Sequence, residues 1–358
     1  MNEMKKTIMA LAALTLLSAF GAEAGQNRFE TADQEFLRSP EAARIGRNVV
    51  AYQRVTGGWP KNVDMSATLT PDELAGVMAD KSRRDDSTTD NDATTAQLRY
   101  LAALYQATAD TMWLQPIHNA VEYLLAGQYP NGGWPQFWPV NRGYQKHITY
   151  NDGAMLTTME IIRDLRDGNP PFQNLVTRQM RARLDSAFRR GVDCILATQI
   201  VAGGKPAVWC QQHDAVTLQP AKARAYELPS FCSTESMGLL WLLMELPDPD
   251  ERVVRAVKGA MEWFDSHRIT GYRLERVGER GKPGFDTRLV EEPDAPALWA
   301  RFYDLESGEP FVCDRDGVPR KSLADLSEER RNGYSWYTTW PSALFPRYER
   351  WKSSHGIE

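Results

Sequence analysis

Apolar positions recur at helical spacing along most of the chain. Runs of this kind cover residues 41–54, 113–126, 153–165, 176–198, 234–246 and 251–266, with a last helical piece near 343–352. Between the first two lies a further periodic run, marked by Ala93, Ala96, Leu98, Leu101, Leu104 and Tyr105. Each places its apolar residues three and four apart, the spacing of a half-buried helix. Thr89, Asp90 and Asn91 precede the run at Ala93 and read as a helix-start signal. The pattern changes over 272–316, where helical periodicity stops and glycine, proline and short β-like runs take over. Residues 298–305 and 311–314 are rich in aromatic and β-branched side chains around the turn-like Glu306-Ser307-Gly308-Glu309-Pro310. A hairpin symmetric about Gly308 sets Leu305 against Phe311, Tyr303 against Cys313 and Arg301 against Arg315. Two like charges directly opposite destabilise a sheet unless an anion lies between them, so this hairpin is read as half of an anionic-substrate site.

The helical runs are tied together by repeats. Gln53 leads to Gly57-Gly58-Trp59-Pro60, and Gln128 leads to Gly132-Gly133-Trp134-Pro135. A looser copy runs from Gln199 through Gly203-Gly204-Lys205-Pro206 to Trp209. The helix starts repeat as well: Thr89-Asp90-Asn91-Asp92-Ala93 matches Tyr150-Asn151-Asp152-Gly153-Ala154, and Ser233-Thr234-Glu235-Ser236-Met237 is a weaker third. Helix pairs that recur and cannot bury a face alone predict a stack or a closed ring, with the repeated loops gathered at one end.

Length and composition narrow the class. The 358 residues suffice for one large domain or two small ones. A net charge of −5 gives no global basic footprint for nucleic acid, so anion recognition must be local. The N-terminus has the grammar of a secretory signal: Lys5 and Lys6, an apolar run over 8–20, and Ala22-Glu23-Ala24 before Gly25. The expected cleavage follows Ala24, and no second membrane-length apolar run occurs. The four cysteines, Cys194, Cys210, Cys232 and Cys313, show no metal-binding spacing and read as buried thiols or one bridge.

Three constellations carry possible chemistry. Asp90, Asn91, Asp92, Asn151 and Asp152 concentrate oxygen donors at two helix starts; a cap needs one such residue, and a hard cation such as calcium needs several. Lys146, His147, Lys222, Arg224, Arg301 and Arg315 lie in loops or β-like stretches, where guanidiniums suit carboxylates and the competing reading is solvated surface charge. Trp59, Trp134 and Trp209 either stack on sugar rings or pack the repeated loops onto helix ends, and adjacent prolines favour packing.

Six motifs taken in order resemble the polysaccharide lyase family 10 pectate lyases. They are Gly57-Gly58-Trp59-Pro60-Lys61-Asn62; Thr89-Asp90-Asn91 with Ala93-Thr94-Thr95; Asn131-Gly132-Gly133-Trp134-Pro135-Gln136; Ile148-Thr149-Tyr150-Asn151-Asp152; Trp209-Cys210-Gln211-Gln212-His213-Asp214; and Trp299-Ala300-Arg301-Phe302-Tyr303 followed by Arg315-Asp316-Gly317. The resemblance implies a mainly α fold: an (α/α)3 toroid-like helical domain with a β-rich lobe, about 268–320, and a substrate groove between them. With the signal segment removed, the expectation is a single catalytic domain over 25–358, monomeric and exported to the periplasm or beyond. The implied activity is calcium-assisted β-elimination of α-1,4-polygalacturonate. By the matching positions, Asp90, Asn91 and Asp152 would serve the metal and the neighbouring sugar carboxylate. Arg315 would be the Brønsted base, Arg224 and Arg301 would bind carboxylate, and Lys146 and Trp134 would contact substrate. Two other readings compete: a glycoside hydrolase using a carboxylate pair such as Asp152 and Glu235, and a pectin-binding protein without turnover.

Overall fold

The computed structural model describes residues 29–140 and 142–357, so the expected signal segment and its cleavage site lie outside the described residues. The described residues form two compact units, each built from separated stretches: 29–129, 134–140 and 152–189 in one, and 130–133, 142–151 and 190–357 in the other. The stretch 268–320 lies wholly in the second unit, together with several helices.

In the first unit, α1 (Pro40–Tyr52) starts at Ser39, whose hydroxyl accepts from the Ala42 amide at 3.1 Å, with Pro40 in the first turn. It buries Ala42, Ile45 and Val49. α2 (Pro71–Ala79) has a full capping box between Thr70 and Glu73 and buries nothing. α3 (Thr95–Thr108) is the central element, with Leu98, Tyr100, Leu101 and Leu104 fully buried. α4 (Leu114–Ala126) and α5 (Ala154–Asp167) pack beside it, and α6 (Arg178–Thr198) carries the chain across into the second unit.

The expected caps before α3 and α5 do not form. Asp90–Asp92 makes its own 3-10 turn, with Asn91 at φ 52°, and no side chain caps α3. Asn151–Gly153 repeats this, with Asp152 at φ 52° and no side-chain cap on α5. Thr94 is more strained still: at φ 67° and ψ −47° it is the centre of a γ-turn closed by Thr95 N donating to Ala93 O at 2.8 Å. A β-branched residue held there costs about 1–3 kcal/mol, and such strain gathers at functional sites.

The repeated Gly-Gly-Trp-Pro loop is a joint between loop and helix. Gly57 and Gly132 both sit at φ 93°. A Cβ on Gly57 would lie 2.2 Å from the Asn119 carbonyl oxygen, and one on Gly132 1.9 Å from that of Arg190, so only glycine fits. The tryptophans follow one rule: Trp59 Nε1 donates to Val49 O, Trp134 Nε1 to Leu124 O and Trp209 Nε1 to Ile195 O, each at 2.7 Å. A fourth instance is not apparent from the spacing. Trp299 Nε1 donates to Phe264 O at 2.8 Å, near the end of the helix Glu251–Ser266, and a β-hairpin is inserted between the two residues.

The second unit holds short strands. β1 (Ile148–Thr149) pairs with β2 (Gln212–His213). A four-stranded antiparallel sheet runs in the order β9 (Pro319–Arg320), β8 (Pro310–Cys313), β7 (Phe302–Tyr303), β3 (Phe231–Cys232). The inserted hairpin is β4 (Tyr272–Val277) with β5 (Asp286–Glu291), and β6 (Trp299–Ala300) pairs with β10 (Tyr337–Thr338). The sheets thus recruit strands from well outside 268–320. Around them lie α7 (Ser233–Met244), α8 (Glu251–Ser266), the short α9 (Glu328–Asn332) and the terminal α10 (Leu344–His355). All four cysteines are buried free thiols.

The hairpin register differs from expectation. Pro310 lies opposite Tyr303 and Phe311 opposite Phe302, so Arg301 and Arg315 are not cross-strand partners. The cause is Asp304, whose carboxylate accepts from the Glu306 and Ser307 amides while its own amide donates to Glu309 O at 2.9 Å. The turn closes between Asp304 and Glu309 instead of about Gly308. Arg301 falls at the break between β6 and β7, its amide donating to Trp336 O and its carbonyl accepting from Ser233 N.

Candidate active site

The first cluster belongs to the 3-10 turn at Asp90. Asp90 is 1% exposed. One carboxylate oxygen accepts from Lys61 Nζ and, at 2.9 Å, from Gln136 Nε2. The other, Oδ1, is buried with no hydrogen-bond partner among the described residues. A buried anionic oxygen left this way is costly unless a ligand completes it. On the same turn, Asn91 Nδ2 donates to Asn62 Oδ1 at 3.2 Å. The turn packs on α5, which begins directly after the Asn151–Gly153 turn that carries Asp152. Among the described residues no group of three or more His, Cys, Asp or Glu side chains could by itself hold a metal. A site here therefore has to count asparagine oxygen, water or ligand oxygen beside Asp90 and Asp152, which suits a hard, oxygen-seeking cation and excludes a thiolate or imidazole metal. The orphaned Asp90 oxygen makes the residues present a fit for calcium.

The second cluster surrounds two tyrosines. Tyr226 and Tyr334 meet edge to face, 5.3 Å between ring centres. Arg224 lies over Tyr226 at 5.2 Å, Arg301 over Tyr334 at 4.4 Å, and Arg330 over Tyr226 at 4.4 Å and Tyr334 at 5.7 Å. Arg315 reaches the outer side of Tyr226 at 5.8 Å. The aromatic faces let four guanidiniums gather without direct contact.

Each arginine is held by a glutamate. Arg224 makes a two-pronged pair with Glu227, which is fully buried and also accepts from Tyr334 Oη at 2.9 Å. Burial opposes the charge on Arg224, but Glu227 outweighs it and holds the guanidinium above its ordinary range. Arg301 pairs with Glu235, with Asn151 Oδ1 at 3.4 Å. Glu235 also accepts from the Cys232 thiol at 2.5 Å, so both of its oxygens are engaged and it is no free acid or base for a hydrolase. Arg315 and Arg330 share Glu329, whose carboxyl the two arginines hold down at about 2. Arg224 and Arg301 each have a glutamate of their own, whereas Arg315 and Arg330 share one.

A role as Brønsted base calls for a lowered pKa on Arg315, in the direction that neighbouring cations would push it. The structure reverses the sign: pairing with Glu329 raises it. Trp134 is a second correction. It is 3% exposed with its indole N–H spent on Leu124 O, so it packs the joint and offers no open face for a sugar. Trp59 and Trp209 are fully buried in the same way. Lys146 ends an exposed 3-10 turn (Gly143–Lys146), and Lys222 is exposed. His147 stands 3.9 Å from Asp214, and burial lowers its pKa. The residues that sequence reasoning missed are Glu227, Glu329, Arg330, Tyr226, Lys61 and Gln136. Tyr334, in the aromatic segment before the last helix, carried a visible signal; the glutamates carried none, because an acidic residue in a loop is ordinarily solvated.

Comparison with known proteins follows the same lines. The pectic acid lyase family model matches residues 53–345. A family 10 polysaccharide lyase from Cellvibrio cellulosa superposes with a TM-score of 0.75 at 30% identity, covering 93% of this chain and 100% of that one. An aspartate-to-alanine variant of a family 10 polysaccharide lyase from Cellvibrio cellulosa, solved in complex with trigalacturonic acid, gives 0.76 at 30% identity, covering 88% and 95%. No curated protein matches the sequence. The chain belongs to the pectic acid lyase family, within family 10 of the polysaccharide lyases.

Proposed function

We propose that this protein is an exported, monomeric pectate lyase that cleaves α-1,4-polygalacturonate by calcium-assisted β-elimination. Its helices would form the toroid-like (α/α)3 domain. The observation that carries the reading is the arginine cluster on Tyr226 and Tyr334, which gathers guanidiniums suited to a uronate carboxylate. The trigalacturonic acid bound by the related Cellvibrio enzyme is the same class of ligand.

The chemistry follows from the substrate. The hydrogen on C5 of a uronate lies beside its carboxylate, so removing it builds enolate-like charge on the carboxylate oxygens. Arg224 and Arg301, fixed by Glu227 and Glu235, bind that carboxylate and meet the charge as it grows, which is electrostatic stabilisation by preorganised donors. Arg315 is the base: exposed, at the turn after β8, and the most accessible guanidinium of the set. In its neutral form it takes the C5 proton; the bond to the C4 glycosidic oxygen then breaks, C4=C5 forms, and water protonates the leaving oxygen. Calcium, held by Asp90, Asn91 and Asp152, would supply Lewis-acid neutralisation of a uronate carboxylate.

The test is direct. The mature protein is incubated with polygalacturonate, and absorbance from unsaturated uronides is followed with calcium and with a chelator. A calcium-dependent rise supports the reading. Folded protein that gives no rise, or that yields saturated reducing ends indifferent to chelator, defeats it in favour of hydrolysis or of binding without turnover.

A further inference from the structure

Glu329 is exposed, as is Arg315, and an exposed pair is ordinarily worth little. This one is built differently. Each oxygen of Glu329 accepts two bonds: Oε2 from Nε of both Arg315 and Arg330 at 3.0 Å, and Oε1 from Nη2 of both, 3.0 Å from Arg315. The carboxylate is clamped symmetrically between an exposed partner, Arg315, and a buried one. Arg330 is the anchor. Its side chain is 8% exposed, it lies against both tyrosines, and its carbonyl accepts from Trp336 Nε1 at 2.9 Å.

The backbone fixes the same geometry from the other side. Asp314, next to Arg315, accepts from both the amide and the hydroxyl of Ser327. Ser327 in turn caps the short helix that carries Glu329 and Arg330. The turn bearing Arg315 is therefore tied to that helix at two points, through Asp314 and through Glu329.

Resting on the lyase reading above, we propose that Glu329 is the positioning residue for Arg315: it aims the guanidinium through two nitrogens and keeps it charged in the resting enzyme. The groups that face Arg315 are Glu329 and Arg330 on the short helix, Asp314 on its own turn and Tyr226 from the opposite loop. Of the acidic ones, Glu329 binds the side chain and Asp314 is committed to Ser327. A base held by a carboxylate gives up its proton only at higher pH, so Glu329 trades reactivity at low pH for aim.

The experiment measures initial rates of unsaturated uronide formation from polygalacturonate with calcium, across pH, for wild type, Glu329→Gln and Glu329→Asp. Glu329→Gln keeps the shape and removes the charge. The ascending limb of its kcat profile moves to lower pH, so that on this limb it keeps about two- to threefold more of its plateau rate than wild type does. Glu329→Asp keeps the charge and shortens the reach; its plateau kcat falls, KM changes little, and the limb stays in place. A Glu329→Gln profile superposable on that of an active wild type overturns the proposal alone. A wild type with no lyase activity overturns the lyase reading and the proposal with it. Should Glu329→Gln fail to fold, the Glu329→Asp arm decides: an unchanged plateau rejects the positioning role.

Discussion

Arg301 and Glu235 form an ion pair in which both side chains are more than nine-tenths buried, at 9% and 4% exposure. Arg301 stands at the break between two strands, and Glu235 lies in the first turn of α7. The Ser233 amide donates to the Arg301 carbonyl, so the backbone that starts the helix also fixes the arginine. The pair is a fixed cation holder with one face left on Tyr334.

Removing one partner strands the other. Glu235→Ala leaves the Arg301 guanidinium buried without its carboxylate and is expected to cost about 3–5 kcal/mol of stability. Urea melts followed by tryptophan fluorescence measure this. A loss below about 1 kcal/mol would show that the pair contributes little to the fold.

Asp90 gives the calcium prediction. Its buried, unpartnered oxygen should make calcium a stabilising ligand of the folded protein. Wild-type protein at calcium about a hundredfold over its dissociation constant should gain about 2.7 kcal/mol. Asp90→Ala should lose most of that gain. The melting temperature with calcium and with chelator is the readout, and an equal calcium shift in both proteins rules Asp90 out as a ligand.

Arg315 is exposed, so its loss should spare the fold and remove the reaction. Arg315→Ala is expected to lower kcat by about a hundredfold to ten-thousandfold, the range for a general base, with stability within about 0.5 kcal/mol of wild type. Activity within a few fold of wild type would disqualify it as the base.

His213 sets an acid limit on stability. It is fully buried; its Nε2 accepts from the Cys210 amide, so Nδ1 carries the hydrogen and donates to Leu218 O at 2.9 Å. Burial lowers its pKa to about 4. The folded state keeps the ring neutral while the unfolded chain protonates it below about 6.5. Its contribution is complete above pH about 6.5 and is lost as pH falls toward 4, by roughly 3 kcal/mol. His213→Gln should flatten that part of the stability–pH curve in urea melts. An unchanged slope between pH 4 and 6.5 would assign the acid sensitivity to other groups.

Much of the fold can be read directly from residue order. Helix positions follow from apolar spacing, because a helix shows its buried face every three to four residues. The Gly-Gly-Trp-Pro joints are equally legible: Gly57 and Gly132 are where a helix carbonyl leaves no room for a side chain, while Gly203 and Gly204 of the looser copy have open space around them. Oxygen donors crowded at Asp90, Asn91 and Asp152 stood out because capping consumes fewer, and the structure spends none of them on caps.

What tertiary structure alone decided is partnership. Hairpin register hung on one side chain, Asp304, whose bonds to two amides moved the turn and separated Arg301 from Arg315. Trp134 looked the same on paper whether it met a sugar or a helix carbonyl. The glutamates that hold Arg301 and Arg315 lie 66 and 14 residues from them, and no local rule predicts a pairing across such separations. The sign of the effect on Arg315 followed from that pairing, since a charge answers to its neighbours in space, and those are set only when the chain has folded.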